Sequence, residues 1–435
     1  MFTYSPGAPG RRLSTLVRGA MPAPRRLPRL NTFGVVMACG IFISPQVRAL
    51  EFAEARHIAE QQSPRVTAQL LQINAVESAQ KAAGSLPDPK FSVGLENFPI
   101  SGMDRWSLTR ESMTMQRLAL MQEVPNRAKR DARVASAQAR VNRERAALDL
   151  QRLQIRQELS LAWIAAQAVE QREQLLVELL AENQRLQDTF PARVAGGTAQ
   201  AGDLLVAQQE ALALSDRRDD LQRDKAKARA LLRRWVGSRA DEPLQGGPGP
   251  LTRPIAQLRA ELTSHAELEL YPAMQSMARA ESHEAQSESR GDWSWEVAYS
   301  RRDRRWGDMV SFQLKFDLPW QKERRQVPMI QAKQRELERL EAEQKDVELR
   351  HLQELDDSAA ELQALNSQIE RLQSTGLQLA KSRAALALSN YRSAKGDLSA
   401  VLSARAQILE TSMRLIDLKA QHDSLIARLN SLIAD

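Results

Sequence analysis

Apolar residues recur every seven positions along much of this chain. One row in the first half consists of Val134, Val141, Leu148, Ile155, Ala162, Val169 and Leu176. In the second half Leu355, Leu362 and Ile369 share one row, and Leu365, Leu372 and Leu379 share another. Heptad spacing of this kind marks a coiled-coil seam, in which the repeating apolar residues pack between helices. The pattern therefore predicts long helices packed side by side in both halves.

Turn signals divide these helical stretches into hairpins. The stretch from Pro125 to Pro191 contains no internal Gly or Pro, and about 65 helical residues reach close to 100 Å. A turn at residues 195–197 then predicts a return helix over about 201–236. Residues 391–396 predict the equivalent turn in the second half, followed by a helix over about 398–433.

Short stretches between the helices alternate apolar and polar residues with a period of two. In DWSWEVAYS (292–300) every ring-bearing residue has the same parity, and 91–95 and 310–316 alternate in the same way. The stretch 113–122 alternates less cleanly, which predicts a strand with a bulge. Each strand is about as long as a tilted transmembrane β-strand. Lipid on the outside of a barrel and water on the inside would impose the alternation of apolar and polar residues. A small soluble sandwich, half-buried on a helix, is the alternative.

The alternation assigns one face of these strands to lipid. The residues expected on the lipid face of the second strand pair are Trp293, Trp295, Val297, Tyr299, Phe312, Leu314 and Phe316. The tryptophans in or beside the strands are Trp106, Trp293, Trp295, Trp306 and Trp320, which is five of the seven in the chain. An interfacial girdle of aromatic residues requires this concentration near strand ends.

The chain contains two copies of one unit. Residues 115–138 align with 309–332, and 194–208 align with 391–405. The alignment predicts a first repeat over 50–240, a linker rich in Gly and Pro over 241–255, and a second repeat over 256–435. Each repeat consists of a helix, a strand pair and a long helical hairpin.

Four membrane strands cannot close a barrel, and an open edge in lipid leaves backbone groups without hydrogen bonds. Closure therefore requires several copies of the chain, and three copies supply twelve strands around a watery lumen. The predicted fold class is mixed: a transmembrane β-barrel with four strands per chain and twelve per trimer, continued by a long α-helical coiled-coil barrel.

Charge is concentrated at the start of the chain. The formal net charge is +7, and the first 49 residues contain seven arginines and no Asp, Glu or Lys. This segment therefore accounts for the whole excess, and no basic stripe with aromatics remains to bind nucleic acid. The arginines, the apolar run 32–44 and the small residues near 49 predict an export signal over 1–49. Cys39, in VMAC, is either a lipidation site or an ordinary cysteine of the apolar run.

Residues with chemistry of their own are sparse. The five histidines, at 57, 265, 283, 351 and 422, include no pair at ligand spacing on one helix. Met113, Met115 and Met121 either touch a soft cation or fill irregular packing, and the second interpretation is favoured. No nucleophile motif or phosphate-binding loop is present. We therefore expect no enzyme activity, no cofactor and no metal site.

The tandem strand pairs and hairpins, with the turns VAGGTAQAGDLL and YRSAKGDLSAVL, resemble the TolC-like outer-membrane factors. Within that family, residues 87–125 resemble the branch that serves heavy-metal efflux pumps of the resistance-nodulation-division class. The resemblance implies a homotrimeric duct in outer-membrane lipid, with a long periplasmic helical extension. It also implies a periplasmic adaptor and an inner-membrane proton-driven pump as partners. A duct for organic toxic compounds, or a periplasmic coiled-coil adaptor or scaffold, is the alternative.

The same resemblance assigns roles at the helical tips. Asp203 stands at the position of the family's linking Asp and Tyr391 at that of its linking Tyr, so both are expected to hold a gate closed. Gly396 replaces the family's linking Arg, and Asp397 is the candidate for a wider acidic ring. The alternative is that Asp203 only starts its helix and Tyr391 only packs.

Small residues at the two tips allow a partner's helices to approach the backbone closely. The residues expected to dock the adaptor are Gly196, Gly197, Ala394 and Gly396. They also suit tight turns, and both interpretations can hold together.

Overall fold

The structure, a computed structural model, describes residues 49–197, 200–393 and 395–432, without the side chain of Ala201. The export signal predicted for 1–49 lies outside the described residues except at its last position. Cys39 and Ala394 also lie outside them.

Two helical hairpins and a four-stranded sheet make up most of the described chain. The first half contains β1 (Leu50–Glu51), α1 (Phe52–Gln62), α2 (Pro64–Ala82), β2 (Lys90–Glu96), β3 (Met115–Val124), α3 (Arg127–Ala195), α4 (Ala201–Val236) and a 3-10 turn (Gly237–Asp241). The second half contains β4 (Leu244–Gln245), α5 (Ile255–Ala260), a 3-10 turn (Leu262–Ser264), α6 (Ala266–Ser287), β5 (Trp293–Arg301), β6 (Met309–Phe316), α7 (Lys322–Arg371), a π-helical turn (Leu372–Gly376), α8 (Leu377–Arg392) and α9 (Leu398–Asn430).

A helix, a strand pair and a long hairpin thus follow one another in both halves, although the repeat boundaries themselves stay predictions. Within the described part of the chain, no helix combines the length and the apolar character needed to cross a membrane.

The four longer strands form one antiparallel sheet in the order β2-β3-β5-β6. β3 pairs one to one with β5, from Gln116 opposite Arg301 to Val124 opposite Trp293. The bulge expected in this strand is therefore wrong. Its irregular alternation arises because Gln116 and Gln122 share the parity of Leu118 and Leu120, rather than from an extra residue.

The heptad row of the first half lines a continuous core. Leu148, Ile155 and Leu176 are buried there together with residues of α4, whereas Val134, near the sheet, is exposed. In the second half Leu355, Leu362 and Leu365 are buried against α9.

Leu379 is 65% exposed on the single chain, so it does not continue the buried row that begins at Leu365. The π-helical turn at Leu372–Gly376 precedes it. A π turn takes one more residue than an α turn, so it rotates the following residues around the helix axis. The seven-residue row is therefore broken between Leu372 and Leu379.

The core of the first half is centred on Trp163. This side chain is fully buried, and Phe52 of α1 packs edge to face against it with ring centroids 5.4 Å apart. Its indole N–H donates to the carbonyl of Gly246 at 3.1 Å, which satisfies the buried donor. Nearby, Leu50 pairs in parallel with Leu244. The Gly- and Pro-rich segment is thereby packed against the first half.

A junction of hydrogen bonds joins the sheet to the helices. Asn126, the N-cap of α3, accepts from the backbone of Lys129 at 2.8 Å and donates its backbone N–H to Asp292 at 2.9 Å. Asp317 in turn donates its backbone N–H to the carbonyl of Asp292 at 2.8 Å. A Cβ atom on Gly291 would lie 1.7 Å from the Asp317 carbonyl oxygen. Only glycine fits there, so the junction is fixed by close backbone contact.

Candidate functional site

The sheet leaves its apolar face open on all four strands, and the two central strands, β3 and β5, largely cover their opposite face. On β5, Val297 and Tyr299 are exposed by 40% and 42%, whereas Ser294 and Ser300 are buried and Ala298 is 1% exposed. A strand of a water-soluble protein packed on its own core has the opposite distribution. The open face therefore requires an apolar environment that the single chain does not supply.

The register makes this open face continuous across all four strands. Val297 lies opposite Leu120 of β3 on one side and Phe312 of β6 on the other, and Leu120 lies opposite Phe91 of β2. Of the seven residues expected on the lipid face, six are exposed, and Trp295 is half-buried. Contact with lipid itself stays a prediction.

Exposed tryptophans lie at both ends of the strands. Trp306 lies in the loop between β5 and β6 and Trp106 in the loop between β2 and β3, whereas Trp293 and Trp320 lie at the helical end. Nine residues of β5 span about 30 Å at a rise of about 3.4 Å each. Rings at the two ends are thus spaced as the two interfaces of a bilayer require.

A ladder of alternating charges crosses the opposite face, with one charge on each strand. Arg117 of β3 contacts Glu96 of β2 at 2.6 Å and also contacts Glu296 of β5. Glu296 is in turn 3.3 Å from Lys315 of β6. We call these four residues the charge ladder. It gives the covered face of the sheet a hydrophilic lining in which each charge has a neighbour of opposite sign.

Met115 and Met121 share the parity of the charge ladder but lie six residues apart on β3, about 20 Å along the strand. Met113 precedes that strand in a loop. The three sulfur atoms are therefore not arranged as one soft-cation site.

At the other end of the molecule, a hydrogen bond links α4 of the first hairpin to α8 of the second. The Tyr391 hydroxyl of α8 donates to Oδ2 of Asp203 in α4 at 2.9 Å. Oδ2 of Asp203 also accepts the backbone N–H of Gln200 at 3.1 Å, within a capping box at the start of α4. Both sequence interpretations thus describe Asp203, which starts its helix and bonds Tyr391. A gating role for this link stays a prediction.

Apolar packing surrounds the link. A cluster of buried residues joins the hairpins at this point, and we call it the tip cluster: Phe190, Ala207, Leu398, Val401 and Leu402. Tyr391 packs against it, and the Arg193 guanidinium lies over the Tyr391 ring, 5.2 Å from its centroid. Sequence reasoning singled out Asp203 and Tyr391 but not Arg193. The family resemblance places the linking Arg at the position of Gly396, where this chain has no side chain.

Burial and the hydrogen bond to Asp203 raise the pKa of Tyr391 above its ordinary value of 10.0. The protonated phenol is the donor, so its stabilising bond is fully present below that ordinary value. It is lost only as the pH rises through the raised pKa. The link is therefore intact throughout the neutral range.

The predicted docking glycines have different local roles. Gly197 adopts a φ of +68°, so any side chain at that position strains the turn. Gly196 ends α3, and a Cβ atom on Gly396 would approach that of Asn390 to 3.3 Å. Asp397 is the N-cap of α9, where Oδ1 accepts the Ala400 N–H at 2.9 Å. Its carboxylate therefore has a structural role, and an acidic ring stays a prediction.

Sequence reasoning missed one cluster of potential metal ligands. His265, Glu267 and His351 each place a ligand atom within 4.8 Å of the others, although 86 residues separate the two histidines. His265 caps α6 by accepting the Glu267 N–H at 3.1 Å, and the two rings have centroids 4.1 Å apart. Burial, followed by the neighbouring His351, lowers the pKa of His265 to about 4. Spacing along one helix could not reveal a pair assembled from α6 and α7.

No protein-family model and no curated protein sequence matches the chain. Solved structures do match its fold. A membrane protein from Pseudomonas aeruginosa superimposes with a TM-score of 0.74 at 16% identity, covering 88% of this chain and 90% of that one.

The structure of CusC, described in terms of folding and transmembrane channel formation, gives a TM-score of 0.73 at 14% identity over 88% and 92% of the two chains. The outer membrane protein VceC from Vibrio cholerae gives 0.68 at 18% identity over 88% and 95%. At these identities the similarity establishes a shared fold over nearly the whole described chain.

Proposed function

We propose that this chain forms the trimeric outer-membrane exit duct of a tripartite efflux pump. The observation that carries the proposal is the inverted burial of the sheet: its apolar face is open on all four strands, whereas its polar face is covered on the central strands β3 and β5. Lipid on the outside and water in a lumen account for both faces at once. The shared fold with an outer membrane protein and with a channel-forming protein supports the same function.

Assembly from three copies follows from the sheet edges. β2 and β6 each have one neighbour within the chain, so each has an unpaired edge that lipid cannot satisfy. Pairing β6 of one copy with β2 of the next closes twelve strands. The helices offer a matching surface, because Leu205 and Leu212 of α4 are exposed at heptad spacing, as are Leu379 and Leu386 of α8.

The cargo that we propose is a heavy-metal cation, moved by passive conduction from the periplasm to the outside. This rests on the resemblance of residues 87–125 to the heavy-metal branch. A duct for organic compounds has the same fold and stays the second candidate. A periplasmic adaptor or scaffold is disfavoured, since neither needs two hairpins and a sheet with an open apolar face.

Trimer formation and conduction test the duct directly. We expect detergent-extracted outer membranes to yield a complex of three chains and planar bilayers to show discrete conductance steps. A stable monomer with intact β-structure, or trimers that never conduct, would contradict the proposal. Growth of a deletion strain on a panel of metal salts and organic toxicants then separates the two cargo classes.

We further propose that the Tyr391–Asp203 bond holds the periplasmic end of the duct closed. A phenol bonded to a carboxylate is stronger than a neutral pair, yet weak enough for an adaptor to break. Tyr391→Phe is the sharpest variant because it removes only the hydroxyl and keeps the ring against Arg193 and the tip cluster. Asp203→Ala is less clean, since it also removes a helix cap.

Tyr391→Phe should raise single-channel conductance, with a larger increase in the double variant that adds Asp203→Ala. Tyr271→Phe in α6 is the matched control, because it removes a hydroxyl far from the tips along the chain. Conductance equal to that of the unmodified trimer in both Tyr391 variants would show that the closed state is held elsewhere.

The tips at Gly196, Gly197, Ala394 and Gly396 are proposed to dock the adaptor. Gly202, in the first turn of α4, provides a better probe than Gly197, because a Cβ atom there meets nothing within 4 Å. Gly202→Trp should abolish efflux-dependent resistance and adaptor co-purification while trimers remain in the membrane. Arg127→Trp, exposed at the opposite end of α3, is the control, and unchanged resistance in Gly202→Trp would refute docking at this turn.

A further inference from the structure

A buried polar cluster joins the start of α6 to the middle of α7. His265 and His351 are 7% and 5% exposed, and Glu267 lies beside them. Glu354 and Arg350 of α7 complete the surroundings. None of the conduction features described above uses these five residues.

The ring of His351 lies between two carboxylates. Its Nε2 is 3.0 Å from Oε2 of Glu267, and its Nδ1 is 3.2 Å from Oε2 of Glu354. A neutral imidazole carries one proton, so it can donate to only one of the two. With the proton on Nδ1 donated to Glu354, the Nε2 lone pair faces the lone pairs of Glu267, so either a second ring proton or a metal ion must lie between them.

We propose that His265, Glu267 and His351 bind one divalent transition-metal ion of the zinc class. Two imidazoles and one carboxylate are a common protein ligand set for zinc, with the fourth position left to water. Ligand atoms on tetrahedral zinc lie about 3.3 Å apart, given bonds of about 2.0 Å. The 3.0 Å between Nε2 of His351 and Oε2 of Glu267 is close to this ligand–ligand distance. The ligand nitrogen of His265 lies within 4.8 Å of the other two ligand atoms, and small ring rotations bring it closer.

The surrounding groups orient the ligands as metal sites require. Glu354 fixes the His351 proton on Nδ1, the role that a carboxylate behind a ligating histidine commonly has. Arg350 donates to Oε1 of Glu267 at 2.7 Å, which leaves Oε2 directed at His351. A cavity of about 680 Å³ between α3, α7 and α9 borders the cluster and gives an ion access.

Binding competes with the cap of α6. An imidazole that ligates through one nitrogen carries its proton on the other, so His265 can no longer accept the Glu267 N–H whichever nitrogen binds the ion. In the empty site His265 caps α6, whereas in the filled site the ion links α6 to α7. It goes beyond the conduction function, because it requires no passage of metal through the duct.

Zinc binding to the tag-free, chelator-treated full chain in detergent tests the site. We expect one equivalent of zinc per chain after desalting, measured by elemental analysis, and a visible spectrum of tetrahedral cobalt(II) with Co²⁺. His265→Asn keeps a good helix cap but loses the ligand, so it should bind no zinc. Glu354→Gln should weaken binding about 10- to 100-fold.

His351→Lys separates a metal site from a simple ion pair. Lysine keeps a positive charge between Glu267 and Glu354 but does not replace the imidazole, so zinc binding should be lost while the fold is retained. His283→Ala, which removes an exposed histidine of α6, should bind zinc like the unmodified chain. No zinc bound to the unmodified chain, or equal binding by His351→Lys, would overturn the proposal and leave His351 as an ion-paired cation.

Discussion

The two halves of the chain solve the same packing problem differently. In each half, the helix that precedes the strand pair packs beside a long helix. α2, which begins after Ser63, packs on α3, and α6, which begins after His265, packs on α7. The first half buries Trp163 against Phe52 of α1. Among its described residues the second half buries no Trp, Tyr or Phe side chain, and it buries the polar cluster of His265 and His351 instead.

The two halves therefore share an order of elements but not the means of holding them together. A period of two and a spacing of seven suffice to place strands and helices in each half. Filling the space between helices depends on the volumes and partners of particular side chains, so one half uses a large apolar ring where the other uses a polar cluster. Four pairs of substitutions test this difference.

Gly291→Ala should cause the largest effect, loss of folded protein. The new Cβ atom would overlap the Asp317 carbonyl oxygen at 1.7 Å, so the strand pair of the second half could not meet its helices. Gly94→Ala in β2 of the first half is the control, since its Cβ meets nothing within 4 Å. Heat-resistant oligomers on gels measure the outcome, and normal assembly of Gly291→Ala would show that the junction yields easily.

Trp163→Ala should lower the free energy of unfolding by about 3–5 kcal/mol, because it leaves a large cavity and removes one of the two side-chain hydrogen bonds to the Gly246 carbonyl. Leu355→Ala, at an equally buried position of the second half, should cost about 2–5 kcal/mol and less than Trp163→Ala. Denaturant unfolding in detergent compares the two. A greater loss for Leu355→Ala would mean that the main core lies in the second half.

Arg117→Met should cost about 2 kcal/mol, since charged hydrogen bonds to Glu96 and Glu296 are both removed. Arg117 joins the strand pairs of the two halves, so the loss tests how firmly they are joined. Lys315→Met, at the more exposed end of the charge ladder, should cost less. Thermal unfolding of the protein in detergent measures both, and equal shifts would argue against a special role of Arg117.

Arg156→Met should have the smallest effect, under about 1 kcal/mol. Arg156 contacts Glu60 at 2.5 Å, but the side chains are 35% and 24% exposed, so solvent screens the pair. Arg65→Met, which breaks the 2.9 Å contact with the more exposed Glu158, is the matched variant. A loss above about 2 kcal/mol in either would mean that surface ion pairs, rather than Trp163, stabilise this region.

Sequence reasoning located the strands and hairpins closely. β2, β5 and β6 appear where alternation predicts them, and α4 begins and ends at the expected residues. Two predictions from these patterns were wrong. β3 contains no bulge, because two glutamines on the apolar parity cause its irregular alternation, and a π turn interrupts the row that ends in Leu379.

Which residues share a face follows from the amino-acid sequence, because side-chain direction repeats every two residues in a strand and about every 3.6 in a helix. This periodicity predicts the open apolar face and the long hairpins, whereas the pairing of Asp203 with Tyr391 was expected only from the family resemblance. Only the tertiary structure brought His265 to His351 and placed Arg193 over Tyr391. Those contacts join distant segments, and their distances depend on how whole helices pack, which no local period encodes.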